Sequence, residues 1–322
     1  MNGRILKAPP QGWDAYCEGQ RSLLQSSAWH QVLVSGFQAD VSYLVDGEGT
    51  PVSSIVKFRA GPFRIGYTAF PSGRSFRAAP RLPARVLAAL GQSASRLDVD
   101  VLRLTVSGFD PDAAAAKSLG LPFHALPETA IADLGRWHEE DLPSPVRRNL
   151  RKAKREGVRI RGAEQTDADA VWKLYCGMID QHGGIRRYTE AYFQALIALA
   201  YRSSLLRVRL AEHEGRVVAY FVTALEGDEG IYLHGGLDRA KAKVRPSELL
   251  YLDAISWARQ MGCSRFSFLS SPADQPELVR FKEKWGGETR EECVFSLYVR
   301  PLRAKAFEQS LKAYRVVKRL LR

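Results

Sequence analysis

The chain predicts a mixed α/β fold, an α+β arrangement made of two tandem copies of one unit and closed by a C-terminal amphipathic helix. Three observations carry this expectation. Short strand-like and longer helix-like apolar periods alternate along the sequence, the same order of elements occurs twice, and the stretch from Pro301 onward is basic with an apolar stripe.

Residues 26–37 (SSAWHQVLVSGF) have helical periodicity and run into a glycine. Residues 41–46, 52–58 and 63–70 alternate or run apolar as short strands do. Residues 82–97 read as a helix, 101–107 as a strand, 111–120 as a short helix with a glycine stop, and 124–134 as an extended segment. The second half opens with the strand VRIRGAE, two helices (167–182 and 189–202) and three strands (205–213, 217–227 and 230–237). Turns at 213–216 and 227–230 carry the Gly, Glu and Asp of tight hairpins. A helix (247–262), a strand (264–270), a helix (275–286) and a strand (293–300) follow. From its three-strand run onward the first half repeats this order, an internal repeat without visible sequence identity. The expected domains are 1–140, 141–300 and a basic amphipathic helix at 301–322, joined at the polar stretch before the cationic segment RRNLRKAKR.

The chain has 322 residues, 45% hydrophobic and 25% charged, as expected of a globular protein with two domains. Cys17, Cys176, Cys263 and Cys293 are far apart, without a C-x-x-C pair or clustered histidines, so reduced thiols and no metal site are expected. Neither an export signal nor a membrane-spanning run is found, and the expected location is cytoplasmic, with peripheral contact at the inner face of the membrane through 302–322 as one option. A net charge of +12 favours a polyanionic neighbour: nucleic acid, an anionic membrane or a phosphate-bearing substrate.

Several segments have the chemistry of a site, each with a structural alternative. Arg147, Arg148, Arg151, Lys152, Lys154 and Arg155 place six cations in nine residues of one helix. They fit either a phosphate or nucleic-acid contact or a solvated helix partnered by Glu139, Glu140 and Asp141. In FKEKWGG, Phe281 and Trp285 share one helical side, and Lys282 and Lys284 fall off it. A lysine there either supports a developing oxyanion or lies on the surface. Tyr232 and His234, two apart, are expected on one face of a strand ahead of a glycine pair, with His234 the best-placed titratable base or a half-buried structural residue. The glycine pair Gly183–Gly184 precedes Arg186, Arg187, Tyr188 and Tyr192, which form either a substrate lip for phosphate or carboxylate or an ordinary loop. The C-terminal stripe of Leu302, Phe307, Leu311, Tyr314, Val317 and Leu321 suits an anionic membrane surface or packing on the domain.

Four stretches together resemble one family. LLQSSAWHQVLVSG, RRNLRKAKREGV, YLHGGL before a long helix, and RFKEKWGG, in this order, resemble the Fem-like branch of the GCN5-related N-acetyltransferase (GNAT) superfamily, which includes the peptidoglycan cross-bridge aminoacyl transferases and BioF2-like proteins. The resemblance implies tandem GNAT domains, with Lys282 at the reaction centre and Phe281 beside it. It also implies phosphate contacts from Arg187 with Tyr188 or Tyr192. The usual coenzyme A loop has no counterpart, since its place reads DRAKAKVRPSELL; Lys241, Lys243 and Arg245 meet a polyphosphate or tRNA by charge instead.

The expected function is therefore N-acyl or aminoacyl transfer to an amine of a cell-envelope precursor (peptidoglycan, polysaccharide or lipid), with no tightly bound cofactor. Lys282, Tyr232 and His234 are its catalytic candidates, and the donor is acyl-CoA, an acyl carrier protein or aminoacyl-tRNA. The alternative is a catalytically inactive GNAT-fold module that binds nucleic acid or an anionic membrane.

Overall fold

A computed structural model of the chain describes residues 3–71, 82–111, 113–181 and 186–320, without the side chains of 82–83, 92–93 and 314–320. The Gly183–Gly184 hinge and the outer residues of the C-terminal stripe, Tyr314, Val317 and Leu321, lie outside the described residues or side chains.

In chain order the elements are β1 (Arg4–Leu6), α1 (Trp13–Gly19), α2 (Ser27–Phe37), β2 (Asp40–Val45), β3 (Pro51–Ala60), β4 (Phe63–Thr68), α3 (Leu82–Leu90), β5 (Val101–Val106), α4 (Ala113–Lys117) and β6 (Phe123–Ile131). The second half follows with α5 (Ser144–Arg155), β7 (Arg159–Gly162), α6 (Ala168–Gln181), α7 (Glu190–Arg202), β8 (Leu206–His213), β9 (Arg216–Glu226), β10 (Glu229–Leu237), α8 (Pro246–Gln260), β11 (Arg265–Ser270), α9 (Pro276–Glu283), β12 (Glu288–Tyr298) and α10 (Pro301–Leu320).

The repeat is visible in strand order. In the first unit the strands run β1-β2-β3-β4-β5-β12, antiparallel except for the parallel pair β4–β5. In the second they run β7-β8-β9-β10-β11-β6, again antiparallel except for β10–β11. A parallel neighbour needs a crossover, and α3 and α8 supply it at equivalent places.

The compact units do not divide the chain at residue 140. One holds Met1–Trp13, Ala39–Ala125 and Cys293–Arg322; the other holds Asp14–Gln38 and Leu126–Glu292. The final strands are exchanged: β12, from the second half, pairs with β5, and β6, from the first half, pairs with β11.

The segment 14–38 is held in the second unit by polar and packing contacts. Glu226, at the end of β9, accepts from Ser22 Oγ and from the Leu24 N–H (2.9 Å). Gly36 lies so close to α7 that a Cβ there would stand 2.5 Å from Tyr192 Cβ, and Gly36 O accepts from Thr189 Oγ1 at 2.7 Å. Ser26 caps α2 by accepting from the Trp29 N–H (3.2 Å), and Trp29 is fully buried.

The first half of α10 packs on its own unit rather than standing free. Ala304 and Phe307 bury against Ile65 and Val101, and Glu308 pairs with Arg103. Among the described residues no helix is long and apolar enough to cross a membrane.

Candidate active site

Apart from the C-terminal stripe, which belongs to the first unit, the site candidates of the sequence belong to the second unit, in three groups. The first surrounds Lys282. Of the two placements open to this lysine, the surface one does not hold: Lys282 is 3% exposed, on the inner side one turn from fully buried Trp285. The ammonium donates to Leu269 O and to Ser271 Oγ, both at 2.8 Å, at the end of β11. Leu269 has φ +56°, a left-handed conformation unusual for a leucine, which belongs to the turn that brings its carbonyl to the lysine. An ammonium carries three N–H groups, and only two find partners among the described residues. Burial lowers the Lys282 pKa from 10.5 to about 8, against the opposing pull of buried Glu292, which itself accepts from Ser270 Oγ. The group is thus poised between charged and neutral near physiological pH.

Phe281 and Tyr232 adjoin this centre through Tyr251 of α8, whose ring lies 5.4 Å from Phe281 and 5.5 Å from Tyr232. Burial raises the Tyr232 pKa, so its hydroxyl stays a phenol and a hydrogen-bond donor.

The second group surrounds His234, and here the strand expectation is overturned. Tyr232 pairs with Thr223 while His234 pairs with Val222, so a β-bulge at Leu233 breaks the alternation. Tyr232 packs on Phe221 and Tyr251, whereas His234 packs on Tyr220, Tyr188, Tyr192 and Phe193, the α7 side. The two candidates therefore do not share a face. His234 Nε2 meets the Tyr192 hydroxyl at 2.9 Å, and Nδ1 meets that of Tyr220 at 3.4 Å. Burial lowers its pKa to about 3, leaving a neutral imidazole of low proton affinity. Tyr188 and Tyr192 stack at 4.5 Å, and the Tyr175 hydroxyl accepts from the Arg187 N–H (2.7 Å). Arg186 is paired with Asp180, and only Arg187 of the two presents a guanidinium without a carboxylate among the described residues.

The third group is cationic. Arg147, Arg148 and Arg151 are exposed on α5, and among the described residues Lys154 is the one cation of this helix that reaches an acid, Glu139 at 4.0 Å. Of the two alternatives, the partnership with Glu139, Glu140 and Asp141 is thus reduced to that one pair among the described residues. Lys241 is neutralised by Glu214 (2.7 Å), whereas Lys243 and Arg245 are exposed. The first turn of α8 holds its own acid: Glu248, 7% exposed and with its pKa raised by burial, accepts from Asn149 at 3.0 Å. A carboxylate there takes the position at which a helix N-terminus otherwise receives a phosphate.

Residues 144–284 match a family model, Acetyltransf_6, described as an acetyltransferase (GNAT) domain. This segment is a GNAT domain. Its match spans the strand, helices and Lys282 described above. No curated protein matches the chain. Among solved structures, FemX covers 98% of its own length and 93% of this chain at TM-score 0.65 and 13% identity. L-PGS from Bacillus licheniformis covers 93% and 91% at TM-score 0.61 and 15% identity. A tandem GNAT protein from the clavulanic acid biosynthesis pathway covers 99% and 92% at TM-score 0.51 and 14% identity. These likenesses are of fold, and the third of these proteins is itself described as a tandem GNAT protein.

Four residues of the GNAT domain's lysine site escape a reading of the sequence: Leu269, Ser271 and Glu292 around the ammonium, and Tyr251 as the shared aromatic wall. The serine pair that ends the strand FSFLSS was the available signal, because small polar residues at a strand's C-terminal end often face a ligand.

Proposed function

We propose that the chain is an N-acyltransferase or aminoacyltransferase acting on an amine of a cell-envelope precursor. One observation carries the reading: a lysine buried in a GNAT domain, held by two hydrogen bonds with its third N–H unused among the described residues. The fold likeness to FemX and to a lysylphosphatidylglycerol synthetase domain supports the envelope assignment.

In the proposed step the amine nitrogen attacks the donor's carbonyl carbon and forms the C–N bond, while the carbonyl electron pair moves to oxygen. Lys282, as ammonium, donates to that oxyanion. Collapse breaks the C–O or C–S bond to the carrier, and the proton lost by nitrogen leaves on the carrier oxygen or sulfur. Tyr232 orients the acceptor as a neutral phenol. His234, whose proton affinity burial reduces, holds Tyr192 and Tyr220 in place rather than taking the proton. Phe281 forms the apolar side of the site, and Arg187 with Tyr188 and Tyr192 meets the acceptor's anionic part.

Glu248 in the first turn of α8 favours a donor held by cations rather than by that helix end, with Arg147, Arg148, Arg151, Lys243 and Arg245 as its contacts; Lys241, already paired, contributes less. This arrangement suits the polyanion of aminoacyl-tRNA better than coenzyme A. Mass spectrometry of the purified protein tests the donor: co-purified tRNA supports this reading, and co-purified acyl-CoA or acyl carrier protein contradicts it.

Arg147, Arg148 and Arg151 of α5, without an acidic partner among the described residues, favour one second reading, a module that binds nucleic acid or an anionic membrane without chemistry. Binding that falls steeply with salt, with no transfer to any amine, selects it.

A further inference from the structure

The first unit contains a cavity of about 340 Å³ that the transfer reaction does not use. Arg59, Arg64, Arg300 and Arg303 line it, together with Phe63 and Asp98. Arg59 and Arg64 stand directly opposite each other on β3 and β4, so two like charges project to one side of the hairpin. That arrangement is unfavourable unless anions compensate it, and the protein supplies only part of the compensation.

Asp98 pairs with Arg64 and, at 3.0 Å, with Arg300. Asp100, fully buried, accepts from Arg303 Nε (2.7 Å), from Arg300 Nη1 (3.4 Å) and from the Arg64 N–H (2.9 Å). Arg303 also donates to Pro62 O and lies over the Phe63 ring, whose centroid is 5.5 Å from that of Phe307. Three guanidinium groups are thereby fixed in place. The fourth, Arg59, is exposed and meets no carboxylate among the described residues. Four arginines against two aspartates leave an excess of two positive charges, and α10 begins beside them at Pro301, adding the positive end of a 20-residue helix.

We propose that this cavity binds a phosphate group, a monoester or diester, gripped by Arg59 and the pre-positioned Arg300 and Arg303. Planar guanidinium groups held by second partners are the arrangement that binds phosphate oxygens two at a time. Leu302 points to the source of the phosphate. It sits between two of the cavity's arginines in sequence and is 85% exposed, on a helix that carries further cations at Lys305 and Lys312. An apolar side chain flanked by phosphate-binding arginines suits the headgroup region of an anionic bilayer. The inference does not rest on the transfer reaction, whose lysine belongs to the other unit.

The test sediments the full chain with vesicles of phosphatidylcholine and phosphatidylglycerol, in chloride and in inorganic phosphate buffers of equal ionic strength. Calorimetric titration with inorganic phosphate accompanies it. The wild type binds the vesicles in chloride and about tenfold more weakly in phosphate, because the free anion competes for the cavity. Arg59→Ala binds about tenfold more weakly in chloride and no longer responds to the exchange. Leu302→Ser weakens vesicle binding but leaves the calorimetric titration unchanged, which assigns the phosphate to a lipid. Arg59-dependent calorimetric binding without vesicle binding also supports the site and assigns it to a soluble phosphate ester. Equal vesicle binding in both buffers, with no Arg59 dependence in calorimetry, overturns the proposal, since diffuse charge alone then explains any attraction.

Discussion

Lys282→Arg separates the charge of this residue from its titration. In the wild type, burial moves the lysine pKa from 10.5 to about 8, a displacement worth about 3 kcal/mol between its two protonation states. If the ammonium supports the oxyanion, activity requires it protonated, so kcat/KM falls tenfold per pH unit above about 8. The acceptor amine must be neutral, which gives an acid limb, and the profile is a bell. Arginine stays charged at every accessible pH, so the variant loses rate through poorer geometry but also loses the alkaline limb. Lys282→Met removes the donor outright and costs about 100- to 1000-fold in kcat. The assay is amide formation followed from pH 6 to 10, both ends set by the stability of the donor. A wild-type profile without an alkaline limb, or an identical limb in Lys282→Arg, refutes the reasoning.

Other consequences are equally direct. Glu292 holds the Lys282 pKa up, so Glu292→Gln moves the alkaline limb to lower pH; a limb that stays or rises contradicts the electrostatic assignment. Because the folded state lowers this pKa, the unfolded chain binds more protons between about 8 and 10.5, and denaturant titrations should show stability rising with pH there, less so in Lys282→Met. Gly236→Ala places a Cβ 2.5 Å from the Tyr220 ring and should destabilise the second unit by about 1–3 kcal/mol in thermal melts. The triple change of Arg147, Arg148 and Arg151 to Ala should raise KM for a tRNA donor and flatten the dependence of log K on log salt by about 2 for single-stranded contacts. An unchanged slope would place the donor elsewhere.

Most of the fold was legible because apolar periodicity is a local property. The strands β2 to β5 and β8 to β11 follow from it within a residue or two, and so does the repeat. What it missed was long-range: the exchange of β6 and β12 between the halves of the sequence, and the docking of 14–38 through Glu226, rest on partners between 135 and 204 residues away. β1, only three residues long, was too short to carry a period. At the candidate site, the sequence singles out Phe281 and Lys282 but leaves open whether Lys282 turns inward. Its burial depends on the Leu269 carbonyl and Ser271, which no helical wheel includes. The Tyr232–His234 pairing failed for a single reason, the bulge at Leu233, which reverses the alternation on which the reading relied.

The proposed reaction joins an acyl group to an amine with Lys282 at the reacting carbonyl. It is tested most directly by incubating the full chain with aminoacyl-tRNA, acyl-CoA or acyl carrier protein donors and amine-bearing envelope precursors, and weighing the products by mass spectrometry. The account predicts an amide product from the wild type and about 100-fold less from Lys282→Met at equal folding. No amide from any donor, or equal product from both proteins, contradicts it.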